Sequence, residues 1–305
     1  MIVRHTRGSV TWIDIESPGA DELRQVMREF NIDARIEDEI VSPTPYPLFI
    51  PFEDYVYAVL HFPTADPGGG SKNQEMDFIV GPKFIITARY EVIDSIHNLH
   101  KVFEAEELLG FSKDDVKAPV LLERIFRRLY GALGNEAEQA ALRLERIEAD
   151  IFSGKERATV RAISEVGRTL LRFDTTLARH AEPLSSFLQE LSKPEFFGKR
   201  FREHGAHIEA ERSHAAGLIA SYRAVARELR STNDSLLSTS QNEIIKTLTI
   251  IAFITSPPIL IAGVFGMNSQ YAPIVGRPDG FFIVLILMAL SSLFVYISFR
   301  FKKWL

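Results

Sequence analysis

Two groups of side chains in this sequence carry oxygen or nitrogen atoms at spacings that suit a metal ion. The first is uncharged. Asn242, Ile245, Thr249, Ala252, Ser256, Ile259 and Gly263 recur at alternating steps of three and four, the period of one helix face. That face is followed by Gly266, Met267 and Asn268, and no acidic residue occurs between Glu243 and Asp279. A cation moving along it would meet only amide, hydroxyl and backbone oxygens. Magnesium gives up its water shell reluctantly and prefers oxygen ligands, so a ring of neutral oxygens can hold the hydrated ion weakly without trapping it. Close packing against another helix explains the same face equally well, because small residues let membrane helices approach and hydroxyls bond within their own helix. Asn268 likewise suits a helix cap, with Gly266 supplying the left-handed turn.

The second group is titratable. His204, His207, Glu211 and His214 follow one another at steps of three, four and three, again one helix face. Imidazole and carboxylate at this spacing can bind a transition metal such as zinc or cobalt, and can equally form a solvated polar stripe. His97 and His100, in "IHNLH", read as surface residues. The glycines of "ADPGGGSKN" (65–73) lack the trailing Gly-Lys-Ser/Thr of a phosphate cradle, so they read as a flexible hairpin turn. Neither a nucleotide nor a nucleic acid is expected as a partner. No Ser/His/Asp arrangement, Walker motif or zinc-protease motif is present, and the chain does not read as an enzyme.

These residues need elements to hold them. The chain has 305 residues, 46% hydrophobic, with 40 acids, 35 bases and no cysteine, which excludes a disulfide framework or thiolate metal site. Its long apolar runs are concentrated at the end. Residues 247–267 are 21 in a row without a charge and residues 281–299 are another 19; at ~1.5 Å per residue each covers the ~30 Å of a bilayer's hydrocarbon. Lys246, Arg300, Lys302 and Lys303 flank the outer ends of this pair, against Arg277 and Asp279 between the spans. That bias places both termini in the cytoplasm of a cell (inner) membrane, and no apolar run behind "MIVRHTR" suggests a secretion signal. Two spans cannot enclose a pore, so a conducting form requires several copies, first spans inside and second spans outside.

Upstream, residues 9–15, 48–53, 55–62, 75–80 and 83–89 read as strands and 20–30 as a helix. The pattern then turns helical, with a turn near "SGKER" (153–157), a break at "LSKPEFFGK" and a stalk helix from about Phe201. The hydroxyl-rich "STNDSLLSTSQN" (231–242) continues that helix, because the leucine spacing runs through it. Acid runs at 37–39 and 104–107 read as solvated helix faces. Pro257 and Pro258 remove two backbone donors inside the first span, so the freed carbonyls need other partners.

Residues 241–268, "QNEIIKTLTIIAFITSPPILIAGVFGMN", resemble the pore helix of the CorA family of divalent-cation transporters, whose signature is Gly-Met-Asn at the end of the first of two C-terminal spans. "FKKWL" resembles the family's basic C-terminus, and "PFEDYVYAVLHF" (51–62) a strand of its cytoplasmic domain. The resemblance implies an α+β layout: a cytoplasmic α/β domain (1–115), a helical hairpin (116–200), a stalk helix (201–246) and a two-span membrane domain (247–305). It further implies a homopentamer in the lipid bilayer that passes Mg2+, with Co2+, Ni2+ and Zn2+ as competing ions, and that cytosolic magnesium closes.

By position, Gly266, Met267 and Asn268 become the selectivity filter and Asn242 an inner polar ring. Gly263, Ile259, Ser256, Leu248 and Ile245 become pore-lining positions, with Leu248 and Ile245 as a hydrophobic constriction. Glu203 falls near a regulatory acid. Ser256 stands where some members have methionine, and "SQYAPIVGRPDG" (269–280) lacks the acid that many magnesium transporters carry soon after the signature. A zinc-transporting branch shares the layout. A non-conducting sensor or scaffold anchored by the two spans is the reading from a different class.

Overall fold

The computed structural model describes residues 1–17, 19–65, 71–109, 117–267, 279–302 and 304. By its internal contacts the chain divides into Met1–Arg230 and Ser231–Leu305, a mixed α and β unit followed by an all-helical one.

The first unit is built on six strands: β1 (Ile2–Arg7), β2 (Val10–Glu16), β3 (Leu48–Pro51), β4 (Val56–Ala65), β5 (Ser71–Gly81) and β6 (Phe84–Arg89). They lie in the order β1-β2-β6-β5-β4-β3. Only β2 and β6 run parallel, with Ile13 opposite Ile86; the other neighbours are antiparallel. Helices cover both faces, which is why β4 and β5 read as nearly continuous apolar runs and not as clean alternation. On one face, Ile13, Ile15, Tyr57, Val59, Ile79, Ile86 and Ala88 meet Leu23, Val26 and Met27 of α1 (Ala20–Glu29) and Ile36 and Ile40 of α2 (Ala34–Val41). The other face is aromatic. Phe78 stacks on Phe126 of α4 (Ala118–Phe152) with centroids 4.9 Å apart, and Phe126 approaches Phe187 of α5 (Glu156–Leu191) at 6.1 Å.

That second face also holds a buried polar network. Asp14 accepts from Arg89 Nη2 at 2.9 Å, from Thr87 Oγ1 at 2.6 Å and from His100 Nε2 at 2.8 Å, and Arg89 also pairs with Glu16 at 2.7 Å. His100 sits on α3 (Asp94–Leu108), stacked on Trp12 at 4.4 Å. The surface position expected for His97 holds, but His100 is buried: it shares the inward face of α3 with Ile96, Leu99 and Phe103, and the Asp14 carboxylate supplies the partner its ring needs there.

Residues 65–73, expected as one hairpin loop, contribute to strands at both ends, since Ala65 pairs with Ser71 and Pro63 with Asn73; residues 66–70 lie outside the described residues. The turn between α4 and α5 falls at Ser153, Gly154 and Lys155, within the expected segment, and Gly154 has φ +85, a conformation that costs glycine little. After α5 the chain breaks through Gly198, with φ +71, and α6 begins at Phe201.

Helix α6 (Phe201–Gly266) runs unbroken through the hydroxyl-rich segment and through Pro257 and Pro258. It is followed by α7 (Gly280–Phe301). Both are long and apolar enough to cross a membrane, and only 6% of each apolar window is buried. A core helix of a soluble protein would be mostly covered, so these two are built for contact with something other than water.

Candidate functional site

Within the second unit, α6 has two different sides. One packs on α7: Ile250 is buried and Ile254, Pro257, Pro258, Ile261 and Phe265 are half-buried. Contact there is specific. Ser292 Oγ donates to the Ile254 carbonyl at 3.1 Å, and the rings of Phe253 and Phe299 lie 5.9 Å apart. Ile254 O is the carbonyl that a residue at 258 would bond in an uninterrupted helix, and proline has no N–H to give. Ser292 therefore satisfies an acceptor that Pro258 leaves open, meeting the need for a partner that the Pro-Pro pair creates in a lipid setting.

The other side is the face picked out by residue type. At ~100° per residue it lies roughly opposite the α7-packed stripe. Asn242, Ile245, Leu248, Ala252, Ser256, Ile259, Gly263, Gly266 and Met267 are exposed and Thr249 is half-buried. Large apolar groups are left uncovered here, with Ile245 60%, Leu248 61% and Ile259 67% exposed. A Cβ added at Gly263 or Gly266 would meet nothing within 4 Å, so packing among the described residues does not demand either glycine. Thr249 Oγ1 donates to Ile245 O at 2.7 Å. With its proton committed, that hydroxyl presents only lone pairs outward, the polarity a cation needs. Asn268 and the rest of the loop through residue 278 lie outside the described residues.

The titratable group on the lower part of α6 is not gathered into one ligand set. His204 Nδ1 and His207 Nδ1 contact the two oxygens of Glu123, on α4, at 2.5 and 3.1 Å. Glu211 faces Arg127 at 3.3 Å, and Glu203 and His214 are exposed. Among the described residues no group of three or more His, Asp or Glu is placed to hold a metal ion. Burial raises the pKa of the Glu123 carboxyl, but hydrogen bonds from His204 and His207 outweigh it and hold the group below its ordinary value. Glu123 is a partner that helical spacing could not reveal.

A second buried acid cluster lies on the α1/α2 face of the sheet. Asp77 accepts from Tyr57 OH at 2.6 Å and Glu75 from the Thr44 backbone N–H at 2.5 Å. Burial pushes the Glu75 carboxyl up to about 7 and Asp77 well above its usual value.

Comparison with known proteins places this architecture. The family model for CorA-like Mg2+ transporter proteins matches residues 7–303. The cobalt/magnesium transport protein CorA of Thermotoga maritima is 24% identical over 299 residues, covering 97% of this chain and 83% of that one. That of Methanocaldococcus jannaschii is 24% identical over 303 residues, covering 96% and 91%. Among solved structures, the complete CorA magnesium transporter from Methanocaldococcus jannaschii superposes with a TM-score of 0.83 at 22% identity, over 97% of this chain and 92% of that one. The cytoplasmic domain of ZntB from Vibrio parahaemolyticus gives 0.54 at 12% identity, over 78% of this chain and 91% of that one; the likeness there is one of fold. With its sheet domain, long helices and two apolar C-terminal helices, this chain belongs to the CorA-like Mg2+ transporter family of membrane transporters, and not to a family of enzymes.

Proposed function

We propose that the chain forms a passive, channel-type path for a hydrated divalent cation, magnesium first, along the exposed face of α6. One observation carries this reading: a membrane-length helix leaves Ala252, Ser256, Ile259, Gly263 and Gly266 exposed on the side opposite the stripe that, among the described residues, meets α7 at Ile254. Asn242, Thr249, Ser256 and two glycines recur along one side of the helix, and in a conducting assembly they would supply its neutral oxygens and the room for the ion's water shell. In the assembly proposed, five copies place these faces around a common axis with the α7 helices outside. Gly266, Met267 and Asn268 form the outer selectivity site, where amide and backbone oxygens meet the ion's water shell. Asn242 forms the inner ring, and Ile245 and Leu248 form a constriction that closes by dewetting. Ala252, Ser256, Ile259 and Gly263 line the path between them.

The driving force is electrical. Two charges crossing 100 mV gain ~4.6 kcal/mol, at ~2.3 for each, so an inside-negative cell with both termini cytoplasmic takes up the ion without a nucleotide. The cytoplasmic unit acts as the brake, with magnesium bound between subunits holding the closed arrangement. His204, His207, Glu211, His214 and Glu203 are the residues proposed to answer to the internal dication. Substituting all three histidines by alanine should weaken metal-dependent closure, and unchanged closure would remove them from that role.

The test is competitive flux. Purified protein in liposomes, under an inside-negative potential, should pass Mg2+ in competition with Co2+ and Ni2+. Zn2+ carried in preference to Mg2+ would assign the ion of the alternative branch, and no flux of any dication after chelation of internal metal would reduce the spans to an anchor.

A further inference from the structure

The polar network on the second face of the sheet ends in a pair of histidines. His100 Nε2 reaches Asp14 at 2.8 Å, and its other nitrogen, Nδ1, lies 2.9 Å from Nε2 of His5 on β1. The three groups form one line, from a buried carboxylate through a buried imidazole to a half-buried one. Ring contacts hold it in place: His5 stacks on His100 at 5.1 Å and on Phe103 at 5.3 Å, and His100 stacks on Trp12 at 4.4 Å. Beside them Arg7 Nη2 donates to Phe103 O at 3.0 Å, and Arg7 Nη1 pairs with Glu106 at 2.5 Å. His5 and Arg7 thus tie β1, an edge strand of the sheet, to α3.

This line can hold only so many protons. Burial raises the pKa of the Asp14 carboxyl, but the hydrogen bond from His100 and the Arg89 guanidinium outweigh it and keep the group below its ordinary value. Asp14 therefore stays an acceptor, with His100 Nε2 as its donor. Each imidazole nitrogen carries either a proton or a lone pair, and the 2.9 Å contact between His5 and His100 has room for one proton. With no added proton, or with one on either ring, one nitrogen donates and the other accepts. With both rings charged, two N–H groups meet head on and the hydrogen bond is lost. The surroundings of His5 agree with this limit: burial and then the charge on His100 lower its pKa, Glu104 and Glu107 of α3 work against them, and Arg7 adds to the lowering. Beyond Asp14 stand Arg89 and Glu16, paired at 2.7 Å, and beyond Arg7 stands Glu106, which Arg124 of α4 approaches at 3.6 Å. A ring whose folded pKa lies below its unfolded value stabilises the fold above that value, and the contribution is lost as pH falls below 6.5. We propose that His5 and His100 form an acid-released clasp, in which the second proton taken up by the pair parts β1 from α3. The clasp acts within the first unit and does not depend on which ion the spans pass.

The test is hydrogen–deuterium exchange of the full chain in detergent micelles at about pH 7.5 and about pH 5.5, read by mass spectrometry and corrected for the intrinsic pH dependence of exchange. In wild type, opening of residues 2–7 and 94–108 should rise by up to about tenfold between the two conditions, the effect of one proton over about one pH unit below 6.5, while β4 and β5 keep their protection. In His5→Gln the opening should stay constant, because the amide does not titrate and can turn either its donor or its acceptor toward His100. A second readout needs no histidine variant. In Trp304→Phe the remaining tryptophan is Trp12, buried against His100, and its emission should move to longer wavelength over the same pH range. Opening that rises equally in wild type and His5→Gln, opening that rises as much in β4 and β5, or Trp12 emission that stays fixed down to about pH 5.5 would overturn the proposal.

Discussion

Ser292→Ala should weaken the packing of the two spans, and only because of a proline on the other helix. Pro258 gives no N–H to the Ile254 carbonyl, and Ser292 Oγ takes its place at 3.1 Å. Removing that hydroxyl leaves a backbone acceptor without a partner in hydrocarbon. Hydrogen bonds between membrane helices are worth ~0.6 to 1.7 kcal/mol, so the unfolding equilibrium should shift by about three- to eighteenfold. The assay is titration with a denaturing detergent in mixed micelles, at one protomer concentration so that assembly does not move the midpoint. Pro258→Ala restores the missing donor. In that background Ser292→Ala should therefore cost close to nothing, and a double-mutant cycle should return most of the single-mutant cost as coupling. A cost for Ser292→Ala that is the same with and without Pro258 would refute the reasoning.

Other substitutions address the first unit and the proposed gate. Asp14→Ala leaves the fully buried Arg89 with Glu16 as its remaining carboxylate and the Glu91 carbonyl as a further acceptor; breaking a buried pair costs ~3–5 kcal/mol, and the surviving contacts put the loss at about 3 by chemical denaturation followed by circular dichroism. Glu75 is raised from 4.5 to about 7 by burial. The folded state therefore keeps a proton that the unfolded chain releases, and this stabilisation is complete below pH 4.5 and lost as pH rises through about 7. Glu75→Gln should remove that dependence and be more stable than wild type at alkaline pH; an unchanged stability profile between pH 4 and about 8 would contradict it. Leu248→Ser should wet the proposed constriction and raise magnesium flux at high internal magnesium, whereas flux that stays low would show that Leu248 does not gate.

What could be read beforehand was what the chain repeats locally. The α6 face follows from steps of three and four, and the two-sidedness of that helix in the structure matches it because periodicity is the property that burial selects. Strand β1 was missed since "IVRHTR" is an edge strand, paired only to β2 and carrying charges on both sides, so it reads like a polar tail. His100 was misplaced because "IHNLH" looks polar, although its ring faces Asp14 across 86 positions. Glu123 meets His204 and His207 across more than 80. Such partners are set by which helix lies beside which, and a single sequence records no distances of that kind. The Pro-Pro pair announced that a carbonyl needed a donor but could not name Ser292 as the one that answers.

The central claim is that neutral oxygens at the outer end of α6 choose and pass the ion. Its most direct test is magnesium uptake by liposomes containing wild type or Asn268→Ala protein, under the same inside-negative potential and with internal metal chelated. Wild type should admit Mg2+ and the variant should lose both the flux and its preference for magnesium. Equal magnesium uptake by the two proteins would contradict the account.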